Sequence, residues 1–194
     1  MSNTRADGLT FLPDAQRRVY EDAASLVVVR PFRTTLLQNK TKTTNNNKHM
    51  PRVSTYLNFP RSTEDAFSFY RSVFKTEFCA PIARFKDIPP QPGCPPLAEA
   101  DQNLVMHVEL PILGGHVLMG TDAPESMGFT LTPGNSVSIN LEPDTRAETE
   151  HLFEALSDGG KIEMPLQEMV WGGYFGSLTD RFAVRWMFNC ASKT

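Results

Sequence analysis

Two histidines and a glutamate, His107, Glu109 and His116, flank the pair Gly114-Gly115. Adjacent glycines supply the positive backbone dihedrals of a tight turn between strands. If that turn closes a hairpin, the three side chains share strand parity and project from one face. Imidazole and carboxylate held together either coordinate a divalent metal or exchange protons near neutral pH. The opposite parity carries Met106, Val108, Leu110, Val117 and Met119, an apolar face. If a cavity lies on the apolar side, the histidines are structural hydrogen-bonding residues. If it lies on theirs, they are catalytic candidates.

Other chemistry is sparse. Cys79, Cys94 and Cys190 are odd in number and lack C-x-x-C spacing, so we read three free thiols and neither a disulfide framework nor a cysteine zinc site. The chain contains no G-x-S-x-G elbow, no P-loop and no G-x-G-x-x-G turn, so a nucleotide-dependent methyltransferase or dehydrogenase has no fingerprint here. Trp171 to Gly176 forms an aromatic and glycine-rich stretch, preceded by Gln167. Aromatic walls with a few polar groups suit a small organic molecule; the plainer reading is a turn whose rings complete the core.

The whole chain has a net charge of -3, unevenly distributed. Residues 1–51 hold 8 of the 19 Lys and Arg but 4 of the 22 Asp and Glu, which leaves 11 against 18 for the rest. An acidic body repels a phosphate backbone, so no nucleic-acid partner is expected. No run approaches the roughly 18 to 20 apolar residues of a membrane span, so we expect no membrane partner and a cytoplasmic setting. Residues 38–48 are a polar tract of Asn, Thr and Lys with nothing to bury. We therefore read 1–50 as an extension and 51–194 as the folded domain. An arm that captures a partner is one use for such a head.

The elements follow from periodicity. Val53 to Phe59 alternates as a strand, and Ser62 with Asp65 imitates a capping box before a helix whose apolar face holds Ala66, Phe67, Tyr70, Val73 and Phe74. Glu77 to Phe85 reads as a strand and is followed by a proline-rich loop, a lid or crossing segment. Leu104 to Leu110 and His116 to Thr121 then form the hairpin. The order restarts with a strand over Ser136 to Leu141, a Thr145/Glu148 capping box, a helix ending at Gly159-Gly160, and strands at Lys161 to Met164, Tyr174 to Leu178 and Val184 to Asn189. Asn58-Phe59 before one helix matches Asn140-Leu141 before the other, as in a duplicated unit. The expected class is α+β, with two tandem βαβββ modules over about 52–122 and 134–192.

Tyr56-Leu57-Asn58-Phe59, Glu64-Asp65-Ala66 with Phe69-Tyr70, Met106-His107-Val108, Gly115 to Gly120 with Asp122, Trp171-Gly172 with Tyr174, and Thr179-Asp180-Arg181-Phe182 ending at Trp186 resemble the PhnB-like branch of the vicinal oxygen chelate superfamily. That superfamily includes glyoxalase I, bleomycin-resistance proteins and extradiol dioxygenases. The resemblance implies cupped mixed sheets around a cavity, helices on their outer faces, and a homodimer. In metal-dependent relatives the ligands come from the first and last strands of each module. Here those positions fall on Ser54 or Thr55, Met119, Ser136 and Met187, and thioethers and hydroxyls are poor ligands for Mn, Fe, Ni or Zn. The resemblance therefore implies a protein without a metal cofactor that binds a small organic ligand through Met119, Gln167, Trp171, Tyr174 and Met187. The alternative is a metal-dependent lyase, isomerase or dioxygenase using His107, Glu109 and His116.

Overall fold

The computed structural model describes residues 51–89 and 96–191. The readings of the first fifty residues, of Cys94 and of most of the proline-rich loop lie outside them. The strands are β1 (Thr55–Phe59), β2 (Ala83–Arg84), β3 (Val105–Pro111), β4 (Val117–Asp122), β5 (Ile139–Leu141), β6 (Lys161–Glu168), β7 (Gly173–Thr179) and β8 (Arg185–Ala191). The helices are α1 (Thr63–Phe74) and α2 (Arg146–Ser157). The architecture is α+β, with two βαβββ modules. Their sheets have the orders β1-β4-β3-β2 and β5-β8-β7-β6. In each sheet the first strand pairs parallel with the last, and the remaining pairs are antiparallel.

Local sequence accounts for most of this, with two departures. Thr145 Oγ1 accepts from the Glu148 N–H at 3.2 Å, as its capping pattern requires. Ser62 makes no side-chain cap. Asp122 Oδ1 instead accepts from Thr63 N–H at 3.0 Å and Thr63 Oγ1–H at 2.8 Å, while its Oδ2 takes the Val105 N–H at 2.8 Å. A buried carboxylate from the end of β4 satisfies the start of the helix, a partner that local sequence cannot reveal. The second departure is the strand expected over Glu77 to Phe85, of which only Ala83–Arg84 pairs. Pro81 offers no N–H, and after Arg84 a one-turn 3₁₀ helix, Phe85–Asp87, ends the ladder.

The apolar sides of both sheets meet in one continuous core. Leu118 and Gly120 on β4 and Val108 and Leu110 on β3 face α1. A Cβ on Gly120 would lie 2.3 Å from the Phe67 ring, so glycine admits that ring. In the second module Gly176 gives the same room to Phe153 of α2. The helices pack against each other, and α1 also reaches the second sheet, where Tyr70 and Phe74 meet Trp186. Tyr70 Oη–H donates to Asp180 Oδ2 at 2.7 Å, and that carboxylate also accepts from Trp186 Nε1–H and from the Phe182 and Val184 N–H groups. The helices therefore lie between the sheets, not on outer faces as the resemblance implied. The apolar side chains of α1 require this, because they fill two sheets at once. Each sheet keeps a second face, turned away from the core.

Candidate functional site

On the first sheet the outward face is set by register. Tyr56 pairs with Met119 across β1 and β4, and Met119 with Glu109 across β4 and β3, so the three stand in one row. Paired residues in neighbouring strands point to the same side. His107, two residues before Glu109, shares that side, and its ring stacks on Tyr56 with centroids 6.0 Å apart and planes at 29°. His107 and Met119, expected on opposite faces, are on the same one. His116 is the residue that leaves: Ile112 donates its N–H to His116 O, which closes the turn, and His116 falls on the parity of Leu118. There its Nε2 lies 2.9 Å from Thr55 Oγ1. The expected three-residue cluster is therefore a pair, His107 and Glu109. The hairpin pairs even-numbered residues with even, which the glycines alone did not reveal.

Glu109 is engaged on both oxygens. His107 Nε2 lies 3.2 Å from Oε1, and Arg52 donates to Oε2 at 3.0 Å. Burial pulls this carboxyl upward, but the bonds from His107 and Arg52 outweigh it and hold the group below its ordinary value. An ionised carboxylate only accepts, so His107 Nε2 carries a proton and donates it to Glu109. The pair orients an imidazole against a tyrosine. Arg52 and Tyr56 are functional candidates that sequence reasoning missed, although Tyr56 opened one of the motifs.

On the second sheet the outward face carries Asn140 beside Met187, Met187 beside Ser177, and the row Asn189, Phe175 and Gln167. Trp171, in the β6–β7 turn and largely exposed, meets Phe175 edge-on at 6.2 Å. The structure thus brings Gln167, Trp171 and Met187 to one region and places Met119 on the other sheet. Tyr174 has the opposite parity. It pairs with Cys190, donates to Glu150 of α2 at 3.2 Å and lies under the Arg146 guanidinium. Partial burial and Glu150 raise its phenol.

The first-strand neighbours of the two methionines are Tyr56 and Asn140. Ser54 precedes β1, and Ser136 is exposed and precedes β5. A phenol, a carboxamide and two thioethers do not make a site for a divalent metal. His107 and Glu109 supply only two ligands, already bound to each other and to Arg52. Among the described residues no group of three or more His, Cys, Asp or Glu could hold an ion. The family's metal does not fit these side chains.

Polar atoms without partners mark both faces. Ser54 Oγ, Arg185 Nε and Asn189 Oδ1 are buried without a hydrogen-bond partner, as is Thr76 Oγ1 elsewhere. The other Arg185 nitrogens are held by Glu163, at 2.7 Å each. Buried polar groups are nearly always satisfied, so such atoms mark places for an ordered water or a bound polar group. Among the described residues no helix is long and apolar enough to cross a membrane.

This fold is that of the glyoxalase/bleomycin resistance/dioxygenase proteins. Residues 51–188 match the family described as 3-demethylubiquinone-9 3-methyltransferase, and the chain belongs to that PhnB-like family. It is 30% identical over 146 residues to Protein YjdN of Escherichia coli strain K12, covering 71% of this chain and 93% of that one. Among solved structures it is similar to protein PA1353 from Pseudomonas aeruginosa, with 33% identity, a TM-score of 0.63, and 73% and 98% of the two chains covered. A PhnB protein from Bacillus cereus is 28% identical, with a TM-score of 0.57 and 73% and 100% covered.

Proposed function

We propose that the chain binds a small organic ligand on the outward sheet faces, without a resident metal, as a homodimer in the cytoplasm. The observation that carries this reading is the set of buried, unpartnered polar atoms at Ser54, Arg185 and Asn189, set among Tyr56, Met119, Met187, Phe175 and Trp171. Apolar and aromatic walls with a few unsatisfied polar groups are the ordinary make-up of a ligand site. The helices occupy the space between the sheets of one chain, so enclosing a ligand between two faces takes a second copy. Half-exposed Tyr56 and exposed Trp171 are the kind of surface such a contact covers. The cytoplasmic setting rests on cysteines without framework spacing; Cys79 and Cys190 are both free thiols. The methyltransferase description has no nucleotide turn behind it in this sequence.

Protein purified without chelator should elute as a dimer and contain substoichiometric Mn, Fe, Co, Ni and Zn by elemental analysis. A stoichiometric metal that survives gel filtration overturns the metal-free reading, and a monomer at all concentrations overturns the dimer. Substituting Met119 and Met187 by Lys should abolish retention of any co-purified small molecule detected by mass spectrometry.

A further inference from the structure

Gly173 opens β7 directly after the β6–β7 turn, and its missing side chain decides what stands above it. Met169 N–H donates to Gly173 O and Gly172 N–H to Met169 O, at 2.8 Å each, with Gly172 at φ 83°, so the turn is tight and folds Trp171 back over the strand. A Cβ on Gly173 would lie 2.6 Å from Asn189 Oδ1 and 2.8 Å from Trp171 Nε1. Glycine therefore lets the carboxamide oxygen from β8 and the indole N–H from the turn stand side by side. That oxygen is buried and has no hydrogen-bond partner among the described residues, the indole included. Their neighbours on the outward face, Gln167, Phe175, Ser177 and Met187, carry no charge.

We infer that the ligand carries a neutral amide whose C=O and N–H lie on one side, a primary carboxamide or a lactam, on an aromatic body. The inference rests on the reading of the outward faces as a ligand site and names the chemistry of what binds there. The ligand C=O accepts from Trp171 Nε1–H, its N–H donates to Asn189 Oδ1, and its body lies over Phe175 and Met187. Asn189 Oδ1 is beneath the surface, and rotation of the exposed indole admits the ligand's N–H to it. A carboxylate brings acceptors only and sets one against Asn189 Oδ1, and an amidinium brings donors only and sets one against the indole N–H. A trans peptide group points its C=O and N–H in opposite directions, so a single backbone unit cannot meet both. Uncharged surroundings favour a neutral group, which has no ionic hydration to lose.

The test is a ¹H–¹⁵N NMR titration of the full-length protein with benzamide, acetophenone, benzamidine and benzyl alcohol, which share a ring and differ in donors and acceptors. The two tryptophans give two indole N–H signals, and Trp171→Phe assigns them. Benzamide should move the Trp171 indole signal downfield, shift the amides of Gly173, Phe175 and Asn189, and bind at least about tenfold more tightly than each of the other three, the worth of one buried polar group left unpaired. Asn189→Leu and Trp171→Phe should each weaken benzamide about tenfold for the same reason. Trp171→Phe keeps a ring at an exposed turn and so keeps the fold. Equal binding of the four probes, or full benzamide affinity in either variant, overturns the inference and leaves the outward face a ligand site of other chemistry. Absence of any shift also overturns it; a co-purified small molecule whose retention depends on Met119 and Met187 then preserves the outward-face reading, and the lack of one removes both. Shifts that follow protein concentration alone assign Trp171 and Asn189 to contact between copies and overturn the inference.

Discussion

Tyr70 in the first module and Asp180 in the second are joined by a hydrogen bond of 2.7 Å between residues 110 positions apart. Asp180 is buried and collects four donors, so its charge is solvated by the protein. Burial and the adjacent carboxylate push the Tyr70 phenol well above its ordinary value, so it remains the donor through the neutral range. Tyr70→Phe should cost about 1.5–3 kcal/mol, the usual worth of a bond to a charged group. Urea unfolding at neutral pH measures it. A change within experimental error would mean that the modules hold together by packing alone. Asp180→Ala, which strands all four donors, should cost more.

Acid should weaken the fold in a defined way. Arg84 holds Glu64 below its ordinary value, Ser126 and Arg61 hold Asp101 below its own, and His107 and Arg52 do so for Glu109 against the pull of burial. A carboxyl lowered in the folded state contributes stability that is fully present above its unfolded value, about 4, and is lost as pH falls through its folded value. Urea midpoints should therefore fall as pH drops below about 4. Replacing Glu64 and Glu109 by Gln and Asp101 by Asn should flatten that acid limb, and an unchanged slope would show that other groups set it.

Gly120→Ala places a methyl group against the Phe67 ring. Overpacking of this kind costs about 1–3 kcal/mol, and thermal unfolding should show a lower midpoint for the variant. Gly134→Ala, where an added Cβ meets nothing within 4 Å, is the control and should leave the midpoint in place.

The two tryptophans report on different places. Trp186 is fully buried and donates to Asp180, while Trp171 is 62% exposed at the β6–β7 turn. Trp171→Phe should leave a blue-shifted emission that acrylamide barely quenches. In the wild type, protection of Trp171 from acrylamide should rise with protein concentration if the proposed homodimer buries this turn. Quenching that does not change across the association range would exclude the turn from that interface.

Much of the fold was legible because its signals are local. The Thr145 cap, the apolar stripe of α1 and the hairpin around Gly114-Gly115 each rest on residues within a few positions of one another. What escaped depends on partners far along the chain. Asp122 caps α1 from 59 positions away, and the register of β3 against β4 decides that His107 joins Met119 while His116 turns to Thr55. A shift of one residue in that turn exchanges faces, and periodicity within either strand cannot choose between them. Arg52 gains its interest from its partner Glu109 and Asn189 from its buried, unpartnered oxygen, which no residue type announces.

The bridge from α1 to the β7–β8 turn has a consequence for how the molecule comes apart. Neither half can retain its own interior once the other is removed, since Phe74 and Trp186 would then face water. Denaturation should strike both modules in a single cooperative step, and a fragment ending near residue 130 should be a protease-sensitive chain, its exposed α1 face open to any surface that can stand in for the missing sheet.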